Sequence, residues 1–258
     1  EEVEIFLAPA GHVLGSAQVV MNFANQVITV SGDYKRQDDP TCAAFEPIKS
    51  DIFITEATFA LPVFKHPNAN TQINLLIKSI QNFPERCHVI GVYSLGKAQR
   101  LIKMLRNNGW HNTIYLHGSL VKICNLYEKF GIDLGDLEPA TIQDKPEKPH
   151  DFYKGKLILA PPSALADRWS RRFPDPILGM ASGWMTVKQR AKQRGINLPL
   201  ILSDHADWNE ILTTIKEVSP KEVWITHGAE EALIYECSKN NLTAKALSII
   251  GYESDTDL

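Results

Sequence analysis

An α/β fold is predicted for this chain by three observations. Short apolar runs with strand character recur along it. From about Thr71 they alternate with amphipathic helical stretches, and Gly, Asn and Pro punctuate the changes. The opening part reads as strands: Val3–Ala8, Ala17–Phe23, Gln26–Val30 and Asp51–Glu56. Val19, Met21 and Phe23 alternate with more variable neighbours, the period of a pleated strand, and Asn25 suits a tight turn. Gln72–Asn82 has helical spacing, His88–Tyr93 reads as a buried strand, and Lys97–Asn108 as a helix closed near Gly109. Thr113–Leu116 (strand) and Leu120–Phe130 (helix) continue the alternation. Asp133–Tyr153, with Pro139, Pro146 and Pro149, reads as a polar surface connection too short to be a separate globular unit. Lys156–Ala160 (strand), Ser163–Arg171 (helix) and Ile177–Ala181 (strand) follow. Leu200–Leu202, Trp208–Val218, Glu222–Thr226, Glu230–Asn240 and Ala244–Ile249 then close the chain as strand and helix in turn.

A chain of 258 residues can bury a full core, and 44% hydrophobic with 22% charged residues is ordinary for a globular protein. The net charge of −3 gives no global attraction to a polyanion, so a nucleic-acid surface must be a local patch. Cys42, Cys87, Cys124 and Cys237 are scattered without a Cys-x-x-Cys pair. That favours reduced thiols in a cytoplasmic protein over a disulfide framework or a thiolate zinc site. No apolar run approaches the ~20 residues of a membrane span, so no membrane partner is expected. Without an initiator Met, and with Glu1-Glu2 directly before a strand, the chain reads as the later part of a longer protein.

Chemistry concentrates in two islands at opposite ends. Near the start lie Ala10-Gly11-His12-Val13-Leu14-Gly15-Ser16 and Ser31-Gly32-Asp33; near the end lie Ser203-Asp204-His205-Ala206-Asp207 and Thr226-His227-Gly228. Each follows an apolar strand, so a fold that gathers those strand ends would collect three imidazoles and several carboxylates, the makeup of a hydrolytic metal centre. Each residue alone has a plainer reading. His12 could be a satisfied structural histidine and Asp33 a turn or cap residue. His205 could open a helix beside the cap candidates Asp204 and Asp207, and Glu56 could make a structural hydrogen bond. Strand ends in open α/β sheets are, however, where ligands bind.

In order along the chain, these islands and Thr55-Glu56-Ala57-Thr58-Phe59, Tyr93-Ser94-Leu95-Gly96-Lys97-Ala98-Gln99 and Ser182-Gly183-Trp184-Met185 resemble metallo-β-lactamase-fold nucleases with a β-CASP insertion. The nearest likeness is to bacterial ligase-associated DNA exonucleases, relatives of mRNA 3′-end-processing factors. The resemblance implies a partial αββα sandwich from residues 1–69 and 198–258, with residues 70–197 as the inserted β-CASP domain. It implies two zinc ions in the complete protein, with His12 on one, Asp33 bridging and His227 on the second. His205, held by Glu56, then fits a general acid, and Asp33, His205 and Glu56 form the catalytic set. DNA is implied over RNA as the nucleic-acid partner, with a functional link to an ATP-dependent DNA ligase and a helicase. The family's His-x-His-x-Asp-His cluster is absent here: the eight histidines are dispersed. With His12, Asp33 and His227 alone two ions cannot be filled, so little activity is expected of this chain by itself.

Two features bear on substrate. Tyr93-Ser94-Leu95-Gly96-Lys97 is a strand, a turn and a helix start that offers backbone N–H groups to an anion, although an ordinary turn with Lys97 in solvent reads equally well. The segment from Arg168 to Arg194 holds Arg168, Arg171, Arg172, Lys188, Arg190, Lys192 and Arg194 against one acid, Asp175, with Trp169, Phe173 and Trp184 interleaved. Phosphate-neutralising bases beside stacking aromatics suit a single-stranded nucleic acid. Like-charged pairs Lys188/Lys192 and Arg190/Arg194 cost helix stability, which favours a polyanion over a merely solvated face. Ser94, Lys97, Ser182, Arg168, Arg171, Arg172 and Trp184 are therefore the expected substrate-binding residues.

Overall fold

The computed structural model describes residues 2–141, 149–173 and 175–247. Its strands form two six-stranded sheets. Three antiparallel strands open the first: β1 (Glu4–Pro9), β2 (Ala17–Phe23) and β3 (Gln26–Val30). Ala24 and Asn25 join the last two with φ of 48° and 63°, the left-handed pair that matches a two-residue hairpin to strand twist. β4 (Ile52–Ala57) lies parallel to β3. From the far end of the chain β11 (Glu222–Gly228) and β12 (Thr243–Ala246) add in parallel, giving the order β1-β2-β3-β4-β11-β12.

The second sheet comprises β5 (His88–Gly91), β6 (Ile114–Leu116), β7 (Leu137–Pro139), β8 (Leu157–Ala160), β9 (Ile177–Ala181) and β10 (Leu198–Leu200). Its order is β10-β9-β5-β8-β6-β7, with every pair parallel. On one face, Ile90, Ile114, Leu116, Leu157 and Leu159 meet Ile73 and Leu76 of α1 (Ala69–Asn82), Leu101 and Leu105 of α2 (Lys97–Asn107) and Leu120 of α3 (Gly118–Lys129). The alternate residues Val89, Tyr115 and Ile158 join a separate cluster with Cys87, Tyr153 and Phe173. Burial on both faces explains why these strands read as unbroken apolar runs. In the first sheet, Phe53, Val223 and Ile225 pack on Trp208, Ile211 and Ile215 of α6 (Trp208–Val218) and Leu233 of α7 (Glu230–Lys239). The edge strand β1 instead leaves Ile5 and Leu7 60% and 68% exposed.

Most expected elements appear within a residue or two, and the differences have local causes. The helix expected over Ser163–Arg171 is two 3-10 turns, Pro162–Leu165 and Ser170–Arg172. The Ser170 hydroxyl there donates to the Leu165 and Asp167 carbonyls, offering the backbone an alternative to helix. The expected connection Asp133–Tyr153 contains β7 and the short α4 (Pro149–Phe152), while its residues 142–148 lie outside the described ones. β7 escapes notice because it ends on Pro139, tolerated only at a sheet's edge, which is where β7 lies. The last residues of the expected strand Ala244–Ile249 also lie outside the described ones. Lys188, Arg190 and Lys192 of the basic segment lie on α5 (Lys188–Gln193). No helix among the described residues is long and apolar enough to cross a membrane.

Buried histidines make stability depend on pH. His88 is fully buried in β5, its Nε2 2.8 Å from Ser79 Oγ of α1, and burial pushes its pKa down to about 4. The unfolded chain protonates this ring near pH 6.5, the native one only near 4. Stability is therefore full above pH 6.5 and falls as pH drops towards 4, by up to about 2 kcal/mol at pH 5. Urea midpoints at pH 7.5 and 5 are expected to show this loss, and His88→Gln to reduce it, with the His66 ring, also pushed down to about 4 by burial, supplying the rest; an unchanged slope in that variant would assign the loss elsewhere.

Candidate metal and substrate site

Parallel strands direct their carboxyl ends to one side, and the residues that follow them meet there. A cleft of about 360 Å³ is lined by Thr58 after β4, Tyr93 and Ser94 after β5, Ser182 after β9, and Ser203, Asp204 and His205 after β10. His12, Lys97, Phe59 and Trp184 complete its working surface.

His12 stands on the turn after β1. Gly11 takes φ of 72°, and a Cβ there would lie 2.6 Å from the Lys35 carbonyl oxygen, so only glycine lets the chain pass this close. The His12 and Val13 amides donate to Ser16 Oγ at 3.0 and 3.1 Å. His12 Nδ1 is 2.8 Å from the Asp204 carbonyl oxygen. A carbonyl only accepts, so Nδ1 carries the proton and Nε2 of the neutral ring keeps its lone pair. That Nε2 is 3.7 Å from the Asp33 carboxylate, which is held just beyond β3.

His205 is held in the same way. Its Nδ1 lies 3.0 and 2.9 Å from the two Glu56 carboxylate oxygens. Glu56, on β4 and 3% exposed, also accepts from the Tyr34 amide at 2.9 Å and from the Thr58 hydroxyl. Burial works to raise the Glu56 carboxyl, but the His205 imidazole and those hydrogen bonds prevail and hold it below the ordinary range. Burial likewise opposes charge on His205, yet the Glu56 carboxylate outweighs it and raises the imidazole above its usual value. The pair rests as an ionised carboxylate beside a ring that readily carries two protons.

His12 and His205 have ring centroids 4.8 Å apart, and one ligand atom each of His12, Asp33 and His205 falls within 4.8 Å of the others. An imidazole with its second nitrogen hydrogen-bonded, from His12, and the Asp33 carboxylate are donor types that zinc takes in catalytic sites, and His205 stands beside them with its Nδ1 committed to Glu56. His12 and Asp33 fit part of the shell of one such ion. His227 is not in this group of three. It sits near the end of β11, exposed, with φ of 57°, where the register with β4 shifts: Thr226 pairs with Glu56 and Gly228 with Ala57. A bulge of this kind re-aims one side chain, and here it does so beside Glu56.

The expected substrate residues divide. Ser94, Lys97, Ser182 and Trp184 line the cleft. Lys97 is not solvated: 4% exposed, it pairs with Asp204 at 3.2 Å and lies 4.6 Å from the centre of the Tyr93 ring. Ser182 caps the following turn by accepting from the Trp184 amide at 3.3 Å. Gly96 takes φ of 78°, and a Cβ there would strike Val13 Cγ1 at 2.2 Å, so this glycine seats α2 against the His12 loop. Arg168, Arg171 and Arg172 do not line the cleft. Arg172 lies 5.1 Å over the Trp169 ring, in the cluster around Phe173, while Arg190 meets a cleft aromatic, 4.2 Å over Trp184. The segment from Arg168 to Arg194 is thus two separate basic places, not one stripe.

Sequence reading missed Asp204 and Arg100. Asp207, not Asp204, caps α6, in a capping box with Glu210; Asp204 is 4% exposed and Arg100 fully buried. The sequence carried no signal for them: Lys97, Arg100 and Arg106 look like solvated cations on an amphipathic helix, and only the structure shows all three buried. Tyr93 and Phe59, at the rim and floor of the cleft, were also unassigned.

Residues 199–238 match the family described as the Zn-dependent metallo-hydrolase RNA specificity domain. The chain is 26% identical over 256 residues to a protein of Opitutus terrae named "Probable DNA ligase", covering 94% of this chain and 23% of that protein. It is 36% identical over 124 residues to cleavage and polyadenylation specificity factor 73 of Drosophila melanogaster, covering 45% of this chain and 18% of that one. The chain thus spans under a quarter of either relative's length. A crystal structure of a protein of unknown function from Enterococcus faecalis V583 superposes with a TM-score of 0.61 at 13% identity, over 98% of this chain and 64% of that one, which shows a shared fold.

Proposed function

We propose a function from one premise: the chain belongs to the metallo-β-lactamase β-CASP nucleases related to mRNA 3′-end-processing factors, a zinc-dependent family. The complete protein hydrolyses phosphodiester bonds of nucleic acid, with DNA as substrate and a DNA-repair role as an exonuclease. The observation that carries this reading is the meeting of His12, Asp33 and His205 at the strand ends of both sheets. Residues 1–69 and 198–258 act as the hydrolase part and 70–197 as the insertion over it; the first sheet's use of residues 4–57 with 222–246 supports that division, while β10 (Leu198–Leu200) extends the second sheet three residues past it.

Zinc held at this site supplies positive charge to the scissile phosphate and acidity to the attacking water. His12 presents Nε2 because its Nδ1–H is committed to the Asp204 carbonyl, and Asp33 brings the charge that balances a cation. His205, kept protonated at Nδ1 by Glu56, delivers a proton from Nε2 to the leaving oxygen. His227, on the bulge that follows Thr226, would serve a second zinc. Ser94, Ser182 and Trp184 hold the strand at the cleft, and Arg168, Arg171 and Arg172 bind phosphates further out.

DNA is chosen because the ligase-named relative is similar over 94% of this chain, and a DNA ligase is the proposed partner. The similarity to the polyadenylation factor favours an RNA-processing enzyme as the second reading. Zinc-loaded natural protein given matched single-stranded DNA and RNA is expected to cleave DNA faster. Preference for RNA would establish the second reading, and salt-sensitive binding without cleavage would make the protein a non-catalytic binder.

A further inference from the structure

Arg100 is the largest fully buried side chain, and it comes from α2, a helix of the second sheet's layer. Its guanidinium reaches two loops at once, the one after β3 that runs through residues 37–39 and the one that leads from β10 to α6 through Ser203 and Asp204. Nη1 donates to the Ser203 carbonyl at 2.6 Å and lies 3.9 Å from the Asp204 carboxylate. Nη2 donates to the Asp38 carbonyl at 3.2 Å and to Gln37 Oε1 at 3.4 Å, while Nε stands 3.8 Å from the Asp39 carboxylate. Lys97, one turn earlier, adds its ammonium to Asp204 at 3.2 Å. Lys35 pairs with Asp39 and donates to the His12 carbonyl at 3.1 Å.

Every cluster residue hangs from this network. Asp33 begins the loop that runs to Asp38 and Asp39. His205 follows Ser203 and Asp204, its amide bonded to Ser203 Oγ at 3.0 Å. His12 is held at both ends, by Lys35 on its carbonyl and by the Asp204 carbonyl on Nδ1. We propose that Arg100, with Lys97 as its second arm, is a positioning residue that fixes the spacing of His12, Asp33 and His205 from the insertion side. A planar guanidinium suits the task because it holds several acceptors at fixed angles, which an ammonium cannot. Burying this many charges is costly, and their mutual pairing offsets that cost only while both loops keep their places. Proper seating of the insertion and assembly of the metal site thus become one event. The inference rests on reading His12 and Asp33 as holding a metal ion beside His205.

Arg100→Lys tests it in the chain as it stands, with cobalt(II) as the metal probe and the nitrogen resonances of the His12 ring as a metal-free probe. The variant is expected to melt cooperatively, to bind cobalt about 10- to 100-fold more weakly, and to show His12 exchanging between tautomers where the wild type shows the Nδ1–H form. Leu105→Ala, in the buried core of the same helix, is the control; it should lower the melting temperature and leave both readouts alone. If Arg100→Lys unfolds, Lys97→Met with Asp204→Asn removes one arm without stranding a charge, and the same two changes are expected. Wild-type values for both probes, or an equal change in Leu105→Ala, would overturn the assignment. Absence of cobalt binding in the wild type would defeat the metal reading, and the tautomer of His12 would still decide the role of Arg100.

Discussion

His205→Ala in the zinc-loaded natural protein is expected to lower turnover by about 10²- to 10⁴-fold, the usual worth of a positioned general acid. Zinc content should be unchanged. The geometry explains both halves of that outcome. Glu56 accepts from Nδ1 at 2.9 Å and leaves Nε2 to the cleft, and the raised imidazole pKa keeps a proton there for a leaving oxygen. His12 and Asp33, 3.7 Å apart, remain to bind the cation. Measuring turnover and zinc in one preparation separates the alternatives. If zinc leaves with His205, its nitrogen is a ligand and the proton comes from elsewhere; if turnover is untouched, the residue does neither. Glu56→Gln should reproduce most of the loss, because a neutral amide no longer favours the imidazolium.

Asp33→Asn is expected to remove turnover more completely, by about 10³-fold or more, and to take metal affinity with it. Asp33 is the one carboxylate in the cluster; its replacement keeps the volume and removes the charge that balances a divalent cation. The residue is half-exposed, at 45%, on a loop where no core depends on it, so the melting temperature of the metal-free chain should stay within a few degrees. Thermal melts with and without a chelator, beside turnover, distinguish this from unfolding. Full activity in the variant would dissociate the cluster from catalysis.

The sheets were legible because both faces of the second one are buried, so its strands read as continuous apolar runs between helices. β7 was not legible, since Leu137-Glu138-Pro139 carries no periodicity and pairs only at an edge. The site was legible at its strand ends: His12, Asp33, Glu56 and His205 stand where open sheets gather ligands. Its supports were hidden, because a buried Lys97 or Arg100 on an amphipathic helix looks like any solvated cation until its partner loops are known. The same blindness joined Arg168, Arg171 and Arg172 to Trp184 as one surface. Nearness in sequence says nothing of the intervening β9 (Ile177–Ala181), which carries the chain from the Phe173 cluster back to the cleft.

Anomalous scattering at the zinc edge, from crystals of this chain soaked in zinc, addresses the central claim most directly. A peak about 2.0–2.2 Å from both His12 Nε2 and the Asp33 carboxylate is the predicted result. A chain that takes up no zinc there, or that places it away from both residues, would contradict the account.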